Sequence, residues 1–179
     1  AALGERLAVF GLELHPEKTR LLEFGRYAAP NRSSRGEPKP ETFTFLGFTH
    51  LCSRNRRGWF SLARRTEKSR MRRKLRFIKE QLRAHRHKPI PEQGGWLRRL
   101  LSGYFNYYAV PGNSRLLNAF RNQVIRTWAK WLGRRSQRHC LPWKRLGVLV
   151  RRWIPSVRIL HPWPSQRLIV TTRGRSPVR

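Results

Sequence analysis

Positive charge limits what this chain can fold into more than any other feature of its sequence. Forty Lys and Arg residues stand against nine acidic residues, so the formal net charge is +31 across 179 residues. A folded surface with this imbalance repels itself, and a polyanion is the partner that neutralises it. Hydrophobic residues make up 39% of the chain and include seven Trp, enough for a modest core and unlike a disordered basic tail. The sequence therefore predicts a folded protein that binds nucleic acid.

The acidic residues are all glutamates, and the last of them is Glu92. Sites that hold Mg²⁺ between paired aspartates, as polymerases and many nucleases use, are thereby excluded for this chain alone. His50 with Cys52, and His139 with Cys140, lack the spacing of zinc sites. We therefore predict no catalytic residue and no metal ligand. Two distant cysteines, without a signal peptide or a long apolar run, predict a reduced, cytoplasmic protein that does not enter the membrane.

The first third of the chain combines strand and loop patterns. Apolar residues at spacings of three and four predict a helix over residues 3–14. Residues 20–24 read as a strand, and the Pro-, Gly- and Ser-rich residues 25–40 as a loop without regular structure. Aromatic residues predict a second strand at 43–48 and a third at 59–63, joined through a turn as a hairpin.

Beyond Thr66 the apolar residues recur at helical spacing, which predicts four helices. The first has an apolar stripe, and the second is marked by aromatic residues. The third is capped by Asn113 or Ser114, and the fourth covers residues 142–153. The markers of the first three are Met71, Leu75, Ile78 and Leu82; Trp96, Leu100 and Tyr104; and Leu116, Leu117, Phe120, Val124, Trp128 and Leu132.

These patterns predict an α+β fold in which a small β-hairpin region precedes a mainly α-helical bundle. We place the domain boundaries so that residues 1–64 contain the strands and residues 65–153 contain the helices. Residues 154–179, rich in proline and arginine, are expected to form an extended basic tail.

The first helix of the bundle and the residues just before it are strongly basic. Its apolar stripe must face a core, which leaves cations on most of the circumference. Like charges three and four residues apart repel, so without an anionic partner this face is unfavourable. A solvated charged face is the alternative interpretation. The predicted phosphate contacts are Arg64, Arg65, Lys68, Arg70, Arg72, Arg73, Lys74, Arg76 and Lys79.

Two further groups are candidates for RNA contact. In the second helix, cations lie beside a GYFNYY run, where exposed rings could stack on unpaired bases. We expect Tyr104 and Phe105 to belong to the core instead, while Tyr107 and Tyr108 stay candidates. A second basic cluster follows the third helix. The residues of these groups are Arg98, Arg99, Tyr107 and Tyr108, and Arg134, Arg135, Arg138, Lys144 and Arg145.

Three blocks of this sequence resemble the reverse transcriptases encoded by group II introns. FGLELHPEKTRLLEFG (residues 10–25) resembles the sixth sequence block of that family, palm motif D. FTFLGFTH (43–50) resembles the seventh block, which contains the primer grip. The rest resembles the third block, the thumb and maturase domain (domain X), especially GWLRRLLSGYFNYYAVPGN (95–113), the Trp128–Trp131 helix with RRSQ, and WIPSVRILHPWP (153–164). The three blocks follow one another in the family's order, and the resemblance as a whole extends over essentially the entire chain.

The resemblance implies roles for individual residues. Lys18 matches the motif D lysine, which would assist catalysis only if the rest of the palm were supplied. Phe45, Leu46, Gly47 and Phe48 match the primer grip. Residues 1–64 would be a palm remnant, and 65–153 a thumb and maturase-specific domain. The implied partners are RNA, in particular group II intron RNA, and an RNA/DNA template–primer duplex. The implied compartment is the bacterial cytoplasm or an organelle.

The departures from the family pattern keep three functions open. The family's Tyr-Ala-Asp-Asp turn and finger blocks do not occur, so we expect a truncated, RNA-binding maturase-type domain that aids intron folding and splicing. The first alternative is the C-terminal part of an active RNA-directed DNA polymerase that needs a missing N-terminal half. The second is a non-specific basic nucleic-acid-binding protein. We expect no activity and no cofactor for this chain alone, since Mg²⁺ would bind only in the complete parent enzyme.

Overall fold

The computed structural model describes residues 2–17, 19–135 and 142–163, and these residues form the predicted α+β fold. A three-stranded antiparallel sheet is combined with six helices within the described ranges. The chain divides into two compact units, Ala1–Glu41 and Thr42–Arg179. In chain order the elements are α1 (Ala2–Ala8), α2 (Ala28–Ser34), β1 (Phe43–Phe45), β2 (Phe48–Arg54), β3 (Phe60–Thr66), α3 (Lys68–Ala84), α4 (Ile90–Tyr108), α5 (Ser114–Gly133) and α6 (Trp143–Trp153).

The first unit differs from its predicted structure in three places. Helix α1 ends at Ala8 instead of continuing to residue 14, because the backbone turns at Gly11, whose φ is 67°. The predicted strand at 20–24 is not formed. The predicted loop at 25–40 contains α2, and the prediction of no regular structure there was wrong. Pro30 lies in the first turn of α2, where a missing N–H costs no helical hydrogen bond.

An ion-pair network orders the segment after α2. The Arg35 guanidinium bonds to both Glu23 and Glu37, and the Arg32 Nε donates to the Pro38 carbonyl over 2.9 Å. The neighbouring guanidinium of Arg35 lowers the pKa of the Glu37 carboxyl. All of these contacts lie within the first unit.

A tight turn divides the segment that the sequence predicts as one strand at 43–48. The sheet order is β1-β2-β3, and Phe45 of β1 pairs with Phe48 of β2. Between them, Leu46 and Gly47 have φ values of 49° and 77°, the conformation of a two-residue hairpin loop. The predicted hairpin around 59–63 is confirmed, since β2 and β3 pair antiparallel from Phe48↔Thr66 to Arg54↔Phe60.

The four predicted helices of the bundle are confirmed. On α3, Ile78 and Leu82 are buried, while Met71 and Leu75 pack against the core beside them. Helix α3 ends at Ala84, and α4 begins directly after Pro89. Fully buried side chains of α4 and α5 form the centre of the core: Leu97, Leu101, Leu117, Phe120, Val124 and Trp128.

Two buried polar groups at the core find partners. The Trp128 indole Nε1 donates to Gln93 Oε1 over 3.0 Å, and the Gln93 amide nitrogen donates to the His85 carbonyl over 2.8 Å.

Tyr104 and Phe105 are core residues, as predicted. Tyr104 stacks on Phe120 with ring centroids 4.0 Å apart, and Phe105 is buried. Burial raises the pKa of the Tyr104 hydroxyl.

The sheet belongs to the same compact unit as the bundle. Phe48 of β2 lies in the helical core, and the predicted boundary after residue 64 falls inside β3. Of the predicted tail, Ile154 is buried, and the backbone N–H groups of Leu160 and His161 donate to the Ala109 carbonyl. Residues 164–179 lie outside the described ranges. None of the helices described has the length and apolar character needed to cross a lipid bilayer.

Candidate nucleic-acid interface

Helix α3 presents a basic face opposite its apolar stripe. This basic face of α3 consists of Lys68, Arg70, Arg72, Arg73, Lys74, Arg76 and Lys79. All are exposed except Lys74, which is half-buried with its Nζ 5.1 Å from the centroid of the Phe77 ring. Arg70 pairs with Glu67, N···O 3.3 Å, and this is the one ion pair that the face makes with any described residue. The remaining cations of this face form no ion pair with any described residue, although Glu80 lies on the same helix.

The turn at residues 45–48 is held against the helices from two sides. The Tyr107 hydroxyl of α4 donates to the Leu46 carbonyl over 2.7 Å. The Glu67 N–H, at the start of α3, donates to the Gly47 carbonyl over 3.0 Å. A Cβ added at Gly47 would lie 2.8 Å from the Tyr108 hydroxyl oxygen, so any other residue would have to displace that side chain. Leu46 holds a positive φ that L-residues seldom adopt, and these contacts maintain it.

Side chains of the turn and of β3 line a cleft of about 590 Å³. Phe45 and Leu46 are mostly exposed, whereas Phe48 is buried against Tyr107 and Tyr108. His50 stacks on Phe43 with centroids 4.8 Å apart, and burial lowers its pKa. The lining includes Phe45, Leu46, His50, Arg64, Tyr107 and His161. The predicted primer-grip residues thus lie beside the predicted phosphate contact Arg64.

The two candidate tyrosines separate clearly. Tyr107 is 48% exposed, whereas Tyr108 is only 8% exposed. Tyr108 packs against Phe48 and Tyr104 with centroids 5.1 and 4.6 Å away. Since its ring is covered on both sides, Tyr108 cannot stack on a base, and we correct its prediction as an RNA contact to a core role. Burial raises the pKa of its hydroxyl.

Asn113 links β3 to the loop between α4 and α5. The sequence predicts this residue only as a helix cap and gives no sign of the link. Its side chain makes no capping bond. Instead, Asn113 Oδ1 accepts from the Thr66 N–H over 3.0 Å, and its amide donates to Thr66 Oγ1 and to the Tyr108 carbonyl. The side chain is fully buried. Asn113 therefore joins the end of β3, directly before the basic face, to the loop between α4 and α5.

The other predicted basic groups have mixed environments. Arg98 and Arg99 are exposed on α4, and Lys144 and Arg145 are exposed on α6. The Arg134 guanidinium lies 5.3 Å from the Trp131 ring centroid. Arg135 differs, because its guanidinium donates to the carbonyls of Arg86 and Lys88 and so closes the connection between α3 and α4. Its Nε and one of its terminal nitrogens therefore bond to the fold.

Comparison with known proteins gave no match. No family model fits the chain, and no curated protein and no solved structure matches it.

Several predicted residues come together although they are distant in sequence. The 45–48 turn, Arg64, Arg70 and Tyr107 form one surface at the junction of the sheet with α3 and α4. Lys18 and Arg138 lie outside the described residues, as do His139 and Cys140. In the ranges that the structure covers, no group of three His, Cys or acidic side chains is placed to hold a metal ion. Three arginines of the β2–β3 hairpin, Arg54, Arg56 and Arg57, were not predicted as contacts, because their segment reads as an ordinary turn.

Proposed function

We propose that this chain binds structured RNA through the basic face of α3, and that the partner is a group II intron RNA whose folding and splicing it aids. The observation that carries RNA binding is the unpaired charge of α3, where Arg70 has the one acidic partner among the described residues. The uncompensated cations repel one another along the helix. Phosphates relieve that repulsion and release counterions from the RNA. The choice of a group II intron rests on the resemblance of the sequence segments.

The test of RNA binding removes two charges from α3 and two from elsewhere. Arg72→Ala with Arg76→Ala deletes two exposed neighbours on the basic face. Arg115→Ala with Arg126→Ala removes the same charge from exposed positions on α5. We expect the α3 variant to flatten the slope of log affinity against log salt by about 0.9 for each phosphate that the variant no longer neutralises. The α5 variant should retain the wild-type slope. If the α3 variant and the α5 variant had the same slope of log affinity against log salt, α3 would be rejected as the binding face.

The test of specificity compares a group II intron RNA with an unrelated structured RNA of equal length. Both measurements are made at about 200 mM salt, where the non-specific electrostatic contribution is reduced. A maturase-type protein is expected to bind the intron at least a hundredfold more tightly. A ratio near one would favour the non-specific basic binder instead.

The 45–48 turn favours a second candidate, contact with an RNA/DNA template–primer duplex. Leu46 is held at positive φ and is 63% exposed, and backbone outliers of this kind cluster at sites of binding. A polymerase role would need a separate N-terminal half carrying the aspartates and Mg²⁺. Mixing the chain with such a half and measuring DNA synthesis tests it, and no synthesis above that of the half alone would reject it.

A further inference from the structure

The tip of the β2–β3 hairpin is built rigidly around one side chain, Asn55. Its Oδ1 accepts from the N–H groups of Arg57 and Trp59, over 2.9 and 3.0 Å. Its own N–H donates to the Trp59 carbonyl over 2.8 Å, and its carbonyl accepts from Gly58. Gly58 has a φ of 78°, which suits glycine at the end of a tight turn. The backbone that carries the neighbouring side chains is therefore ordered before any partner binds.

This tip presents cations and an aromatic ring to solvent. Arg54, Arg56 and Arg57 are exposed, and their side chains make no ion pair or hydrogen bond with any residue in the described ranges. Trp59 is 71% exposed, and its indole makes no ring contact within the same ranges. An exposed indole is costly in water, since a large apolar surface stays hydrated.

The arginines of the tip converge on a concave surface. A cleft of about 720 Å³ lies between the hairpin and the loop after α4. No acidic side chain contributes to its lining, so the local charge is strongly positive. The lining includes Ser53, Arg54, Arg56, Arg57, Arg65 and Trp163. Guanidinium groups bind phosphates through paired N–H donors, which gives such a cleft a preference for a nucleic-acid backbone.

The exposed ring of Trp59 determines which form of RNA the tip of the hairpin can bind. Bases inside a duplex are stacked on their neighbours and offer no free face to an indole. Unpaired nucleotides in loops, bulges and ends offer both a base face and a phosphate, and aromatic side chains next to arginines bind them by stacking. On the basic face of α3, by contrast, the nearby Phe77 ring lies under Lys74. Phe77 is 43% exposed and also contacts the Trp96 ring, so it offers less free surface than Trp59, which is 71% exposed. A face on which cations predominate over free rings suits the regular phosphates of a duplex.

We infer that the β2–β3 hairpin is a second RNA-binding element, which captures unpaired nucleotides: Trp59 stacks on a base while Arg54, Arg56 and Arg57 contact the flanking phosphates. This inference rests on the proposed RNA-binding function and adds a division of roles to it. Helix α3 contacts paired regions, and the hairpin contacts loops. Together the two elements recognise a stem with an adjoining loop.

The experiment uses the full chain and two RNAs with the same number of phosphates. One is a stem with an eight-nucleotide loop, and the other is a blunt duplex. Trp59→Ala should weaken binding of the stem-loop about tenfold or more, the effect of removing one base stack, and leave duplex binding within twofold. Trp59→Phe should restore most of the affinity, because a ring is retained. Tyr27→Ala, at an exposed aromatic residue outside every proposed contact, is the control and should change neither affinity.

The arginines are tested through the salt dependence. Arg56→Ala with Arg57→Ala should flatten the slope for the stem-loop by about 0.7 for each phosphate released, the value for single strands. Equal weakening on both RNAs for Trp59→Ala, or no weakening on either, would overturn the hairpin proposal. In either case the variant Arg72→Ala with Arg76→Ala separates the two proposals. If this variant still weakens binding of the duplex, the proposed function of α3 stands without the hairpin. If none of the variants changes the affinity for either RNA, both proposals fail.

Discussion

Gly47 shows how one residue couples the backbone of a turn to the helices behind it. Gly47 is constrained in two ways, by its positive φ of 77° and by the Tyr108 hydroxyl close to the place of a Cβ. Gly58 shares only the positive φ, which is 78°, because nothing lies within 4 Å of a Cβ added there. The two glycines therefore allow conformational strain to be separated from steric overlap.

We predict that Gly47→Ala destabilises the protein more than Gly58→Ala. Both variants lose about 1–2 kcal/mol because alanine is strained at positive φ. Gly47→Ala should lose about 1–3 kcal/mol more, since its Cβ displaces Tyr108 and Arg70. Urea unfolding monitored by circular dichroism measures the difference. Equal destabilisation would mean that the turn moves freely away from the helices.

We predict that Asn113→Ala costs about 2–3 kcal/mol of unfolding free energy. The substitution leaves buried groups of Thr66 and Tyr108 without their partner, and each unsatisfied group is expensive. Asn118→Ala, which removes an exposed amide bonded to the Ser114 carbonyl, is the control and should stay within about 0.5 kcal/mol of wild type. A similar small change for Asn113→Ala would show that water replaces the amide.

At the scale of elements, the crossing of α4 and α6 depends on a missing side chain. A Cβ at Gly94 of α4 would overlap the indole of Trp153 in α6. Gly103, further along α4, has nothing within 4 Å of an added Cβ. The helix therefore uses one glycine for close packing, while the other serves no packing need.

We predict opposite effects of alanine at these two positions. Gly94→Ala should destabilise the protein by about 1–3 kcal/mol through overpacking. Gly103→Ala should stabilise it by about 0.5–1 kcal/mol, because alanine is the better helix former. Thermal unfolding compares the variants directly. If Gly103→Ala were less stable than wild type, Gly103 would have a packing role after all.

At the scale of the molecule, the sheet and the bundle share one core. Phe48 lies among the buried residues of the helices, and Thr66 bonds to Asn113. A fragment of residues 42–179 retains both interactions, whereas a fragment of residues 67–179 has neither.

We predict that the shorter fragment is less stable by at least about 3 kcal/mol, the usual cost of deleting a buried phenylalanine side chain. Urea unfolding of the two fragments measures the difference. Equal stability would show that the helices form an independent domain, as a boundary after residue 64 supposes.

The sequence by itself determined the helical bundle, the hairpin and the basic face of α3. The apolar residues Met71, Leu75, Ile78 and Leu82 repeat at the helical period. The spacing within this one segment therefore predicts which side of the helix faces the core and which faces solvent. Charge is likewise local, because a cation on the side away from the stripe must face solvent. Arg72 and Arg76 could be placed on that side without any knowledge of tertiary contacts.

Only the tertiary structure decided the roles that depend on distant neighbours. Tyr107 and Tyr108 are adjacent and alike in sequence, and both contact Phe48. Only Tyr108 also packs against Tyr104, so its ring is buried while that of Tyr107 stays exposed. The sequence predicts Arg135 as a phosphate contact, but in the structure two of its nitrogens donate to the backbone of the α3–α4 connection. Asn113 acts on a residue 47 positions away. Such contacts form between elements that pack only after folding, and no periodicity along the chain encodes which side chains will meet.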